Sequence, residues 1–294
     1  MYGPNVRVEY TGGIYGPDIV DQMRFSRAKV GLLTLSSAGL LMASVLPIVH
    51  LDQKTLDTYN EYVEKFDKEV ANPYYDTGRM WMDSRSCCTK STASLTTPMV
   101  EARMNGEIAG GSIHHFSGAM HIPGGTIEDV RHVMEDYANY AKVYKGDLSR
   151  AKGTLQPDST PTDEHYQAEI TITQNTIWMS VAYNSVYDTH YIRFSPDRWA
   201  STSYTISSRE WHDPKNESAG LYPDRDDHGL LWRANTYWLV RKNGDGIDIQ
   251  ADSISLSRPI PTGFGWWGTK RSKDAVSKML LDMKAAVDAI HHKS

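Results

Sequence analysis

Histidine is the side chain with the most chemistry to offer in this sequence, and there are eleven of them. His114 and His115 are adjacent, so in a strand they point to opposite faces and cannot hold one metal ion between them. His115 and His121 share a face but stand six residues apart, roughly 20 Å along a strand. A site built on them would need His228 or a carboxylate brought in by the fold, and no metal is expected. The two cysteines, Cys87 and Cys88, are neighbours, for which ordinary disulfide geometry is strained, and two thiols fall short of the four ligands of a structural zinc site. There is no G-x-S-x-G and no triad spacing, and neither Gly110-Gly111 nor Gly124-Gly125 makes a phosphate loop. Arg233 and Arg258, with Asp252 or Asp227, have the charges for a buried ion pair or for holding a ligand's carboxylate; the structural pair is the expectation. The stretch Asp224-Arg225-Asp226-Asp227 reads as a solvated loop. No catalytic residue and no cofactor is therefore expected.

The elements that position these residues come from composition and periodicity. The 294 residues are 40% apolar and 23% charged, enough for a real core in one large domain with appendages. A net charge of −5 and a pI near 6.1 disfavour general nucleic-acid binding. The aromatics are skewed to 17 Tyr and 8 Trp against 5 Phe, rings with a polar edge that suit half-wet strands and pockets. Residues 52–70 place Leu56, Tyr59, Val63, Phe66 and Val70 on one helical face, with Asp52 as cap. Residues 71–105 show no clear period, and 106–122 read as one long strand. Thr126 caps a helical stretch running to Tyr144. Strands follow at 147–156, 165–173, 177–194, 199–211, 228–242 and 246–258, and 272–292 carries a long apolar helical stripe. A sheet with one apolar face and a single long amphipathic helix predicts an α+β fold: a curved antiparallel sheet of about seven strands around the C-terminal helix.

Ahead of this body, Met23, Arg24, Arg27 and Lys29 precede an uncharged apolar run at 30–46, the build of a secretory leader. The segment 23–50 is expected to be a signal peptide or an uncleaved anchor, with 1–22 an upstream extension and the body exported, periplasmic or held at the inner membrane facing outward. Membrane association would run through this segment; nothing in the sequence sets the oligomeric state.

The stretches 114–124 (HHFSGAMHIPG), 227–233 (DHGLLWR) and 254–258 (ISLSR), with Tyr237-Trp238 and 261–266 (PTGFGW), resemble the START-like (SRPBCC, helix-grip) superfamily, and within it an uncharacterised group of exported bacterial START-like proteins. The resemblance covers about 106–292, with 51–105 as a preceding helix and irregular segment. It implies a helix-grip fold with an internal pocket for an apolar small molecule or lipid, which is analogy until the side chains are placed. Strand parity selects the wall: His114, Phe116, Met120, Ile170, Met179, Tyr183, Tyr204, His228, Trp232 and Trp238. A carrier without catalysis is the favoured reading. The alternative is a cyclase- or hydrolase-like enzyme working through His, Tyr and Arg in the pocket.

Overall fold

The computed structural model describes residues 47–85, 92–146, 148–175, 180–259 and 265–291, without the side chains of 174–175 and 265–271. The apolar run at 30–46, Cys87, Cys88 and Met179 lie outside the described residues. Among the described residues, no helix is long and apolar enough to cross a membrane.

Helix α1 (Gln53–Phe66) begins where expected, because the Asp52 carboxylate accepts the Thr55 amide at its first turn. A π-helical turn and the short α2 (Asn72–Thr77) follow, ending at Gly78 with φ 72°. The sheet then opens with β1 (Met99–Ile108) and β2 (Gly111–Pro123). The stretch 106–122 is thus not one strand. Gly110 takes a left-handed φ of 81° and turns the chain back into a hairpin whose first strand starts inside the segment without clear period. Several residues of β1 are solvent-exposed, so no apolar alternation announced it. Helices α3 (Ile127–Glu135, capped by Thr126) and α4 (Tyr140–Val143) lead into β3 (Leu148–Leu155), β4 (Asp163–Asn175), β5 (Ser180–Ser195), β6 (Arg198–Glu210), β7 (Arg233–Asn243), β8 (Gly246–Ser257) and the closing α5 (Gly265–His291). The eight strands are antiparallel in the order β1-β2-β8-β7-β6-β5-β4-β3. This is the α+β helix-grip arrangement, one strand larger than expected.

The sheet has two covered faces. On the inner face, Val276, Leu280, Met283 and Val287 of α5 pack on Phe116, Met120, Ile122, Trp238, Val240, Ile247 and Ile249. Gly118 permits this close approach, since a Cβ there would stand 2.6 Å from Val276 Cγ1 and 2.8 Å from Leu280 Cδ1. On the outer face, Leu56, Tyr59, Val63 and Phe66 of α1 pack on Ile113, Tyr237, Ile254 and Leu256. Beside them, Tyr74, Met80 and Met82 cover Ala119, Ala200 and Leu239.

Buried polar groups run through the outer layer. Asp248, fully buried, accepts from Thr92 Oγ1 (2.6 Å), His121 Nδ1 (2.9 Å) and Arg241, whose guanidinium also grips Asp83 through Nη1 (2.7 Å) and Nη2 (2.6 Å). Burial alone would raise the Asp248 carboxyl, but these bonds and one from Asn243 hold it below the usual carboxylate range. Asp252 accepts from Ser117, from His115 Nε2 (3.2 Å) and from Gln250 Nε2 (2.7 Å). The expected pairing of Asp252 or Asp227 with Arg233 or Arg258 is absent among the described residues. Arg233 instead donates to its neighbour's carbonyl, Trp232 O (2.6 Å), and Arg258 to the carbonyls of Pro47 and His228.

Candidate functional site

The inner face divides along the strands. At one end it is the dry core just described, extended by Trp199, Tyr191 and the tyrosines of the α3–α4 region. Tyr137 and Tyr191 hydroxyls bond each other (2.7 Å), and Tyr191 and Tyr140 both donate to Met134 O. Toward the other end the same parity brings up hydroxyls. Antiparallel register puts Ser185 opposite Ser208 and Thr189 opposite Ser203, and both pairs are hydrogen-bonded, at 2.9 and 3.0 Å. Ser203, Thr205, Ala234, Thr236, Ser253 and Ser255 are only partly buried, unlike the core residues further along the same strands. Ser201 Oγ is buried with no hydrogen-bond partner among the described residues.

Beyond Ser203, which faces Thr236, the β6–β7 ladder stops. Side chains take over: Ala234 N donates to Thr205 Oγ1 (2.8 Å) and Thr205 N to Asn235 Oδ1 (2.9 Å). The two strands thereby separate around the polar half.

At the end of this row stands a group of ionisable side chains. Glu210, the last residue of β6 and opposite Tyr183, is buried. Its carboxylate accepts from His228 Nδ1 (2.7 Å), from the His228 amide (3.1 Å) and, at 3.5 Å, from the Tyr183 hydroxyl. This fixes the imidazole with Nδ1 protonated and leaves Nε2 as its unengaged nitrogen among the described residues. Burial holds the Tyr183 phenol well above its ordinary range. Asp227 is not in a solvated loop: it is fully buried, its Oδ1 accepting the Gly229 amide (2.6 Å). Burial pushes its carboxyl up to about 6, with the Glu210 charge adding to the rise. The chain's first described strand residues make this burial, since Val49 and His50 pair with Asp227 and Asp226. Gly229, at φ 70°, turns the loop under Val49 and Trp232.

The residues selected by parity fall in several places. Phe116, Met120 and Trp238 lie in the dry inner core with Ile170 at its margin. His114 lies on the inner face, its ring nitrogens bonded to Asn105 Oδ1 (2.5 Å) and Ser257 Oγ (3.0 Å), and burial lowers its pKa. Tyr183 packs with Val181 and Leu231, and His228 meets it through Glu210. Trp232 precedes β7, so strand parity does not govern it, and it packs with the α1 cluster. Tyr204 faces outward, edge-on to Tyr237 at 5.8 Å. Its phase follows Trp199: the inward residues are Trp199, Ser201, Ser203 and Thr205, and an irregularity opposite Val186 and Tyr187 then shifts them to Ser208 and Glu210. Sequence reading missed Glu210 and the serines. Trp199 at an odd position was the available signal, because it sets the inward phase of β6.

A sheet gripping a long C-terminal helix on one face, with α3 and α4 between its second and third strands, is the helix-grip arrangement that the START-like resemblance implies. No protein-family model matches the chain, and no curated protein does. Solved structures similar to it include three that span nearly the whole of their own chains. The STAR-related lipid transfer protein fragment of Xanthomonas axonopodis is 14% identical, over 64% of this chain and 98% of that one, with a TM-score of 0.42. Human StAR-related lipid transfer protein 5 is 10% identical, over 82% and 100%, with a TM-score of 0.41. A START superfamily protein of Mycobacterium smegmatis is 9% identical, over 60% and 98%, with a TM-score of 0.40. Function has to be argued from the side chains.

Proposed function

We propose that the inner face binds one amphipathic, lipid-like molecule between the sheet and α5, without chemistry of its own. The apolar part lies toward Ile170 and the dry core, and the polar end toward the hydroxyl row and the Glu210–His228 pair. One observation carries this reading: on a single sheet face, fully buried apolar residues give way to half-buried hydroxyls. A ligand site of this kind is mainly apolar with a few placed polar groups. The test is native mass spectrometry of protein purified from its own envelope, paired with saturable binding of a fluorescent fatty acid. A retained lipid mass and probe binding weakened by Thr236→Leu are expected. A folded protein with neither retained mass nor saturable probe binding overturns the proposal.

The oriented imidazole of His228 supports a second reading, an enzyme of cyclase or hydrolase type with His228 Nε2 as base, Glu210 as its orienting group and Tyr183 nearby. Conversion of a bound molecule by the wild type but not by His228→Asn would select it over the carrier.

The leader pattern at 23–46 supports export, either cleaved or retained as an anchor. An alkaline phosphatase fusion after residue 60 is expected to be active outside the cytoplasm; activity only of a cytoplasmic reporter at that joint removes the claim.

A further inference from the structure

The outer face of β4 and β5 carries a side-chain group that the inner-face function does not use. His165 and His190 are direct cross-strand partners, and Asp188 lies two residues before His190, so all three leave the same face of neighbouring strands. The two imidazoles stack with centroids 4.5 Å apart and planes 7° from parallel. Each has its own carboxylate on Nδ1: His165 donates to Asp158 Oδ1 (2.7 Å) and His190 to Asp163 Oδ1 (2.9 Å). Both Nε2 atoms are therefore left for the third residue. Asp188 Oδ1 lies 2.5 Å from His165 Nε2 and 4.0 Å from His190 Nε2. The three ligand atoms all fall within 4.8 Å of one another.

We propose that His165, Asp188 and His190 form a three-ligand site for Zn²⁺ or a similar borderline divalent ion. Both imidazoles are held on Nδ1 by their own carboxylates, so both Nε2 atoms and the Asp188 carboxylate are the groups left to share one cation. Bonds of about 2.0–2.1 Å in tetrahedral geometry place ligand atoms roughly 3.4 Å apart. One of the two separations must open by about 1 Å, the other must close by somewhat less, and the stacked rings must tilt so that both Nε2 lone pairs meet at one point, which side-chain torsions supply. Two nitrogens and one oxygen suit zinc, cobalt, nickel or copper and not calcium or magnesium, which take oxygen. Asp158 and Asp163 fix the tautomer with Nε2 left for the ion, as the outer partners of metal-bound histidines do. The side chains of His165, His190 and Asp188 are 21%, 30% and 43% exposed, so an ion can reach the site, and a fourth position stays open to water.

The test uses the full chain without an affinity tag, carrying Cys87→Ser and Cys88→Ser so that thiols do not compete. Titration with Co²⁺ is expected to give one saturable visible absorption band per chain, bleached by Zn²⁺, and Zn²⁺ is expected to raise the melting temperature. His165→Ala and His190→Ala should each weaken Zn²⁺ binding by more than about tenfold, and Asp163→Asn by about tenfold. His50→Ala is expected to change nothing. Circular dichroism confirms that each variant is folded. Absence of a saturable Co²⁺ band in the folded chain, or unchanged Zn²⁺ binding in the His165→Ala/His190→Ala double variant, overturns the site.

Discussion

The two halves of the inner face share one sheet, yet they are built differently. In the dry half, Trp199, Trp238, Val240, Ile249 and Met120 meet Leu280 and Met283 with almost no exposure. Its few polar atoms, the tyrosine hydroxyls over β5, satisfy one another and Met134 O. That half holds α5 to the sheet. In the other half, Ser185, Ser208, Thr189 and Ser203 pair across strands, and β6 and β7 part company. The row ends in a buried carboxylate, an imidazole and a phenol. Buried polar groups add little net stability when satisfied and cost much when not. A sheet that lines this half with them gives up apolar packing that its other half keeps.

The comparison can be broken by mutation, and the largest effect is expected in the dry half. Trp199→Ala removes a fully buried ring between Tyr191 and the core. It should cost about 3–5 kcal/mol and lower the melting temperature by roughly 10 °C or more. A loss below 1 kcal/mol in urea unfolding would mean that this half is not the anchor.

The next effect is a pH dependence in the polar half. The Asp227 carboxyl titrates near 6 in the fold, against 3.8 as its ordinary value. The folded state keeps this proton in a range where the unfolded chain has lost it. The associated stability is therefore full below about pH 4 and is lost as pH rises to about 6, some 3 kcal/mol in all. Asp227→Asn should flatten that window and make the protein more stable than wild type at pH 7. Urea midpoints at pH 4.5 and 7 check it; equal slopes in both proteins would sink the assignment.

Glu210→Ala comes third. It leaves the His228 imidazole and amide and the Tyr183 hydroxyl without their acceptor, at a cost of about 1–3 kcal/mol. Because the Glu210 charge also raises Asp227, Glu210→Gln should lower the Asp227 pKa, read by the carboxyl carbon shift in NMR titration. An unmoved Asp227 would show the two carboxylates to be uncoupled.

The smallest stability effect is expected for Ser253→Ala and Ser255→Ala, within about 0.5 kcal/mol because both are partly exposed. Their effect should instead be seen in fatty-acid probe affinity. Unchanged affinity in both would move the ligand's polar end away from β8.

Much of the scaffold was legible because it follows from short-range rules. The Asp52 and Thr126 caps, the α5 stripe and the alternation of β7 beyond Arg233 depend on residues within one or two turns of each other, where periodicity speaks directly. The hairpin at Gly110 was not legible, since a partly exposed edge strand carries little apolar signal. Nor was the phase of β6 beyond Thr205, because an irregularity in register reverses every side chain beyond it and nothing in Glu210 itself announces that.

What the sequence determined alone is the α+β order, the gripping helix and which strands have one apolar face, since these follow from the period of the side chains. Only the tertiary structure decided which polar residues meet. Glu210 and His228 are joined across a loop pinned by Val49 and Gly229, and His165, Asp188 and His190 across the β4–β5 register. The physical reason is that convergence of side chains depends on long-range strand pairing and loop closure, and neither leaves a local pattern in the chain.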